Sequence, residues 1–328
     1  MERLDRFMAR ANAAYYAHHD PFRDFTTSPE ISQVFGEILG LWAAVTWELI
    51  GQPDPVQLVE LGPGRGTLIA DALRAIAAVA PAFRAALRLH LVEGSPRLRA
   101  IPAERLPGAT WHDTMGTVPQ GPLLLVANEF LDALPIRQFV RRGGRWMERF
   151  VADGRFVEIA VEPPPPAPLP QGEGEGVVVE VNEAGLALAG CVAARVAANP
   201  GAALFLDYGL DVSVPGDSLQ ALRGGQPADP LTEPGAADLT AYVDFGALAR
   251  AACEAGAAVW GPVPQGLFLA RLGLFQRTDR LARGQPPARA ARLIEAARRL
   301  AEPNRMGRLF KALAVTSPAV PVPPGFES

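Results

Sequence analysis

The chain has 328 residues, of which 49% are hydrophobic and 20% charged, so it can bury a full core and suits one large globular domain with insertions. Its net charge of −4 argues against a nucleic-acid footprint spread over the whole surface. No uninterrupted apolar stretch reaches bilayer length, and residues 1–10 mix acids with arginines and lack a signal-like apolar run, so a cytoplasmic chain without a membrane span is expected. Cys191 and Cys253, without a CxxC or neighbouring ligands, read as small buried hydrophobes, and no metal site is indicated.

Residues 1–52 read as an N-terminal helical segment. Within it Thr27 or Ser28 caps a helix, Pro29 fits its first turn, and Glu30 complements the dipole. Ile31, Val34, Phe35, Ile38, Leu39 and Trp42 continue one amphipathic face. The apolar run 56–61 reads as a buried parallel strand, followed by the turn Gly62-Pro63-Gly64-Arg65-Gly66 and a helix over 67–80. Glycines there let a ligand approach the backbone closely. A dinucleotide fingerprint needs a small residue at position 67, which is Thr67; the third glycine falls at Gly66. Glu60 beside the turn would repel a pyrophosphate, whereas the ammonium and sulfonium of S-adenosylmethionine favour a nearby carboxylate. The plainer alternative is an ordinary strand-to-helix turn.

A second apolar run, 87–92, ends at Glu93, where an acid at a strand's carboxyl end can accept both hydroxyls of a ribose. Trp111-His112-Asp113 follows at a third such spacing. Asp113 is a candidate acceptor for the adenine amine, while Trp111 equally suits the core and His112 a satisfied or surface histidine. A fourth strand, 123–127, runs into Asn128-Glu129-Phe130-Leu131-Asp132-Ala133-Leu134-Pro135, a polar and acidic cluster where substrate should meet cofactor.

Residues 138–161 alternate apolar and polar around two glycine turns, the pattern of an inserted antiparallel hairpin or meander. The prolines 163–166 form a stiff spacer and 171–176 a flexible one. A helix over 182–198 precedes a fifth strand, 203–206, which ends at Asp207-Tyr208-Gly209. The stretch 209–238 is long, irregular and rich in Gly and Pro, a functional or a mobile loop. A helix over 245–256, a strand at 257–260, a helical insertion over 267–303 and a final strand at 309–316 complete the pattern. The insertion carries Arg277, Arg280, Arg283, Arg289, Arg292, Arg298 and Arg299 at helical spacing, most simply a solvated face, alternatively a lid gripping an acidic partner or RNA. The expected fold class is α/β with a doubly wound, Rossmann-like sheet. Its expected parts are the segment 1–52, a core of 53–138 and 177–328, an inserted hairpin and Pro/Gly-rich loop at 139–176, a substrate loop at 210–244, and a helical lid at 267–305 within the core.

With these elements in view, the chain resembles the MidA-like methyltransferases, a class I S-adenosylmethionine-dependent group with bacterial members and a mitochondrial branch linked to respiratory complex I assembly. The resemblance is carried by Ser28-Pro29-Glu30-Ile31-Ser32, Glu60 to Gly66, Glu93-Gly94-Ser95-Pro96, Ala127-Asn128-Glu129-Phe130 with Asp132-Ala133-Leu134-Pro135, Asp207-Tyr208-Gly209, Asp238-Leu239-Thr240-Ala241 and Val243-Asp244-Phe245. It implies a seven-stranded sheet whose last strand is antiparallel, cofactor contacts at Gly62, Gly64, Gly66 and Glu93, and, as in the mitochondrial branch, protein arginine methylation. Arg23, Gly225 and Tyr242 depart from the family pattern in the substrate half, which bears on acceptor identity more than on methyl transfer.

Cofactor binding is therefore expected at Glu60, Gly62, Pro63, Gly64, Gly66, Glu93, Asp113 and Asn128. A cationic arginine acceptor needs carboxylates to clamp it, and Glu129, Asp132 and Asp207 are the catalytic candidates at two strand ends. Asp24, Asp238 and Asp244 are weaker substrate-side candidates; the bland reading of every one of these acids is a cap, turn or surface carboxylate. His18 and His19 have no visible partner and read as loop residues. The expected partner is a substrate protein. Two alternatives remain: methylation of an exocyclic amine in nucleic acid, which usually wants prolines and an aromatic after the strand-end Asn, and a catalytically silent assembly factor that binds S-adenosylmethionine.

Overall fold

The structure is a computed structural model that describes residues 1–23, 26–162 and 174–327. Asp24, the proline spacer 163–166 and the first residues of the 171–176 spacer lie outside that range.

A mixed sheet organises the chain. Its strands in chain order are β1 (Val56–Leu61), β2 (Leu87–Val92), β3 (Thr110–His112), β4 (Leu123–Asn128), β5 (Gly201–Leu210), β6 (Ala258–Pro264) and β7 (Phe310–Thr316). Across the sheet they lie in the order β6-β7-β5-β4-β1-β2-β3. All neighbours from β3 to β5 run parallel, and β7 runs antiparallel to both β5 and β6. The two-residue strand Val243–Asp244, which sequence patterning does not reveal, adds parallel to the end of β5 and brings the sheet to eight strands.

β1 and β4 are buried at every residue, as continuous apolar runs covered on both faces should be. One face packs under the helices Gln33–Leu49, Thr67–Val79, Gln265–Arg271 and Pro287–Ala301, the other under Glu183–Ala198 and Phe245–Glu254. With helices on both faces, the carboxyl ends of the parallel strands are left to form a cleft.

Several sequence expectations change. The helix expected from residue 27 onward is two helices, Ser28–Ile31 and Gln33–Leu49. Ser32 adopts extended backbone between them, and its hydroxyl accepts from Val34 N at 3.2 Å, so it caps the longer helix. The stretch 209–238 is not irregular throughout: Gln220–Arg223 pairs with both Gln226–Ala228 and Asp238–Thr240 in a small sheet. The inserted segment is part of a five-stranded sheet that recruits Glu2–Arg3 and Val178–Val181. Within the segment 1–52 expected to be helical, the helix Leu4–His18 buries Leu4, Phe7, Met8 and Ala11 against these two accessory sheets. Cys191 and Cys253 are exposed rather than buried, each on the outer side of its helix.

Across β1, β2 and β3 runs a buried polar chain. His90 Nε2 meets Gln57 Oε1 at 2.6 Å, His90 Nδ1 meets His112 Nε2 at 2.9 Å, and His112 Nδ1 meets Thr117 Oγ1 at 2.9 Å. His112 is thus a satisfied core histidine. Burial holds both imidazoles below the ordinary histidine range. As pH falls, the unfolded chain takes up these protons first, so the stability the pair contributes is present above the ordinary range and lost below it. Buried carboxyls elsewhere titrate as well, so the informative quantity is the difference from a variant. The unfolding-temperature gap between wild type and His112→Asn should narrow from about pH 7.5 to about pH 5.5; a gap constant with pH contradicts this.

Candidate functional site

A cavity of about 260 Å³ opens where β1, β2 and β4 end. Glu60 lies in β1, and its burial follows from a strand covered on both faces. Its carboxylate lines the cavity with Oε2 lacking any hydrogen-bond partner, and burial pushes the group up to about 8. Glu93 directly follows β2. Its Oε1 accepts from Ser95 N at 2.7 Å, and burial raises this carboxyl too. Asn128 ends β4; its Nδ2 donates to Glu129 Oε1 at 3.1 Å, while its buried Oδ1 has no partner.

Glu129 has a φ of +49°, a left-handed conformation that carries strain in a residue other than glycine. Its backbone N donates to Leu206 O at 2.8 Å, and its Oε1 accepts from Ser28 N at 2.7 Å. Burial raises its pKa against the opposing effect of these hydrogen bonds. The strained turn thereby sets a carboxylate from β4 into the same cavity as those of β1 and β2.

The glycine turn forms the floor. Gly62, Pro63 and Gly64 line the cavity, and Gly66 shapes the turn behind them. Gly64 has a φ of +53°, and a Cβ there would stand 3.2 Å from the Phe22 ring. At Gly62, with φ +61°, a Cβ would stand 2.7 Å from the ring of Phe130. The chain therefore keeps both positions bare, between two aromatic rings.

The remaining candidates lie elsewhere. Asp207 is fully buried and does not line the cavity; its Oδ2 accepts from the backbone N of Phe130, Leu131 and Asp132 at 3.1, 2.9 and 3.2 Å. Asp132 is buried behind the wall, where desolvation and the charges of Asp207 and Asp238 push its carboxyl well above the usual range. Asp238 accepts from the hydroxyl of Tyr16 at 2.7 Å, and Tyr16 lines the cavity, so Asp238 backs the wall without facing it. Asp244 caps the helix Phe245–Glu254, its Oδ1 accepting from Ala247 N at 2.8 Å. Asp113 is 79% exposed, ion-paired with Arg99 and outside the lining, in a position that does not suit adenine recognition.

Sequence reasoning missed Tyr16, Phe22, Glu30 and Phe130 as cavity residues. Glu30 read as a helix-dipole acid, yet it accepts from the Thr67 hydroxyl and reaches the cavity. Nothing local in the sequence signals that the segment near residue 30 folds over the end of β1. Arg65, the one cation in the lining among the described residues, sits over the Phe22 ring with its guanidinium carbon 4.4 Å from the ring centre.

Two buried acceptors without partners, Glu60 Oε2 and Asn128 Oδ1, require donors or positive charge from a ligand. S-adenosylmethionine fits that chemistry: it brings an ammonium, a sulfonium and a ribose diol that such carboxylates could hold, and no phosphate to confront Glu30, Glu60, Glu93 and Glu129. Among the described residues no helix is long and apolar enough to cross a membrane, and no cluster of three His, Cys, Asp or Glu is arranged to hold a metal.

Comparison with known proteins agrees with this chemistry. Residues 38–263 match a family described as S-adenosyl-L-methionine-dependent methyltransferases. The chain is 36% identical to the mitochondrial protein arginine methyltransferase NDUFAF7 homolog of Drosophila melanogaster, over 96% of this chain and 80% of that protein. It is also 36% identical to the mitochondrial protein arginine methyltransferase NDUFAF7 of Mus musculus, with the same two coverages. A crystal structure from Burkholderia thailandensis, bound to S-adenosyl-homocysteine, superposes with a TM-score of 0.80 at 27% identity, over 98% of this chain and 89% of that one. The eukaryotic relatives are mitochondrial by name and lend no support to a cytoplasmic expectation. The chain belongs to the MidA-like family of S-adenosyl-L-methionine-dependent methyltransferases.

Proposed function

We propose that this methyltransferase methylates arginine side chains of a partner protein, with Glu129 as the carboxylate that meets the guanidinium. The observation that carries the reading is an excess of acid: beyond Glu60 and Glu93, the carboxylates assigned to the cofactor, Glu129 and Glu30 share the same cavity. The names of the relatives, protein arginine methyltransferases, point the same way.

When bound, S-adenosylmethionine supplies an electrophilic methyl group on sulfur. The protein's part is alignment and charge: an acceptor nitrogen must lie about 3 Å from the methyl carbon, in line with the departing sulfur. A guanidinium is cationic, so a carboxylate oxygen can accept from it and polarise one nitrogen. Ser28 N and the Asn128 amide both donate to Glu129 Oε1, which fixes the carboxylate and leaves Oε2 for one guanidinium N–H. Its raised pKa also suits it to receive the proton that the guanidinium sheds once its nitrogen carries the methyl group. Asn128 Oδ1 can accept from a second guanidinium N–H. In this reading Asp132 and Asp207 organise the turn rather than touch the acceptor. Residues of the N-terminal segment, among them Tyr16, Phe22, Thr27 and Glu30, wall the cavity, whereas among the described residues none of the expected substrate loop 210–244 or lid 267–305 lines it.

Nucleic acid suits the site less well. Asn128 is followed by Glu129, Phe130 and Leu131, not by the prolines and aromatic that hold a flipped base, and four carboxylates would repel a phosphate backbone.

Incubation with labelled S-adenosylmethionine and lysate from cells lacking this protein tests the reading: label should enter protein as methylarginine. Label in RNA would overturn it in favour of an exocyclic-amine acceptor, and no label despite cofactor binding would favour a silent binding factor. Glu129→Gln should lower the labelling rate by about 10²-fold while S-adenosylhomocysteine affinity stays within about threefold. Gly64→Val should abolish measurable S-adenosylhomocysteine binding in calorimetry, because a branched side chain at positive φ would enter the space the ligand needs; retained affinity would contradict the placement of the cofactor. Glu60 gives a pH signature. With the cavity empty its carboxyl is protonated at neutral pH, since burial holds it at about 8. The ligand ammonium favours the ionised form, so binding should release a proton, and affinity should rise with pH until about 8. Titrations in buffers of differing ionisation enthalpy should show that release in wild type and its loss in Glu60→Gln.

A further inference from the structure

We infer that Asp207 is the positioning residue for methyl transfer, a buried clasp that holds the Glu129 turn in its strained form. The inference rests on the reading of Glu129 given above, and it assigns to Asp207 a role through the backbone rather than through the substrate.

The turn after β4 has an unfavourable geometry to maintain. Glu129 adopts a left-handed conformation, φ +49°, at the first residue beyond a fully buried strand. Such a residue persists only where its surroundings over-determine it. Here the next three residues, Phe130, Leu131 and Asp132, all turn their N–H groups inward, where none meets a strand partner. One atom satisfies all three: Asp207 Oδ2, at 3.1, 2.9 and 3.2 Å. Its other oxygen accepts from Tyr208 N at 2.9 Å. Three consecutive N–H groups around one acceptor form a backbone nest, and unlike the usual case the acceptor belongs to the protein; burial raises its carboxyl while backbone N–H groups oppose the rise.

β5 puts the clasp in place. It runs parallel to β4, with Leu206 opposite Asn128, so the next residue, Asp207, stands level with the turn. Leu206 O also takes the Glu129 N–H at 2.8 Å. Four consecutive N–H groups, from Glu129 to Asp132, are therefore claimed by two adjacent residues of β5. On the far side β7 pairs with Asp207 through Lys311, so the clasp is mounted in the sheet interior and not on a loop. Asp207 has 0% exposure and no access to the cavity, which rules out contact with an acceptor.

An asparagine at this position keeps the shape but offers a single, uncharged acceptor. Asp207→Asn should therefore loosen the turn without emptying the cofactor site. Hydrogen exchange at the amides of Phe130, Leu131 and Asp132 should quicken by at least about tenfold, while exchange in β1 and β2 stays unchanged. The turnover number for labelling lysate protein should fall by about 10²-fold, the cost of displacing a reacting group by around 1 Å. KM for S-adenosylmethionine should stay within about threefold. In a Glu129→Gln background, Asp207→Asn should lower the rate by less than about threefold further, since both changes remove the same hold.

Unchanged exchange at the three amides overturns the clasp. So does an undiminished turnover number, or a full multiplicative effect in the double variant. If Glu129→Gln alone keeps its rate, the reading of Glu129 fails while the exchange data still judge the clasp. Should Asp207→Asn fail to fold, Asp207→Glu serves: it keeps the charge and shifts the oxygens, so a clasp that works by position loses rate, and preserved rate overturns it.

Discussion

A carboxylate buried without a partner is the constraint from which the site follows. Leaving an ionised group in an apolar setting is so costly that the group takes up a proton or finds a cation. Glu60 takes the first course where no cation is near, with its carboxyl held at about 8, and a cationic ligand would turn it to the second. The same logic applies with less force to Glu93 and Glu129, each raised by burial and each partly relieved by backbone N–H donors. A cavity of this kind is selective before any shape is considered: it favours cationic ligands and repels phosphates.

The parallel sheet explains why these acids meet. In parallel strands all carboxyl ends face one side, so residues far apart in sequence, Glu60, Glu93 and Glu129, share one cleft because each sits at or just beyond the end of a neighbouring strand. β5 extends the same edge but places its terminal acid, Asp207, one layer deeper, beneath the turn that carries Glu129. Strand-end position alone therefore does not make a residue a ligand contact. What separates Glu129 from Asp207 is whether the surrounding backbone offers donors: Asp207 is surrounded by them and turns inward, while Glu129 keeps one oxygen for the cavity.

This contrast also shows how much of the site the sequence could disclose. The strand-glycine-helix unit at 56–80 and the acid after β2 were legible because they are local, with apolar period, turn chemistry and charge all within a few residues. The fold class was legible from the alternation of such units, and the order of the strands and the reversal of β7 are visible in the pairing itself. The docking of the helix Leu4–His18 was not legible, because its buried face meets accessory sheets assembled from distant segments, with no local signal of where it settles. Glu30 and Phe22 were missed for the same reason. Asp113 went the other way: a strand-end acid by position, it follows an edge strand only three residues long, and Arg99 draws it to the surface.

The excess of acid also bears on the direction of the reaction. Methyl transfer converts a sulfonium into a neutral thioether, so the product retains only the ammonium as a positive group for Glu60. A cavity lined by Glu30, Glu60, Glu93 and Glu129 therefore favours the charged donor over the spent one, through Coulomb attraction strengthened by the low dielectric of a buried wall. On the proposed assignment, the acceptor guanidinium stays cationic after methylation and keeps its attraction to Glu129. Donor exchange is then helped by charge, while release of a methylated arginine depends on the rest of the partner protein leaving, an asymmetry built into which carboxylate faces which ligand.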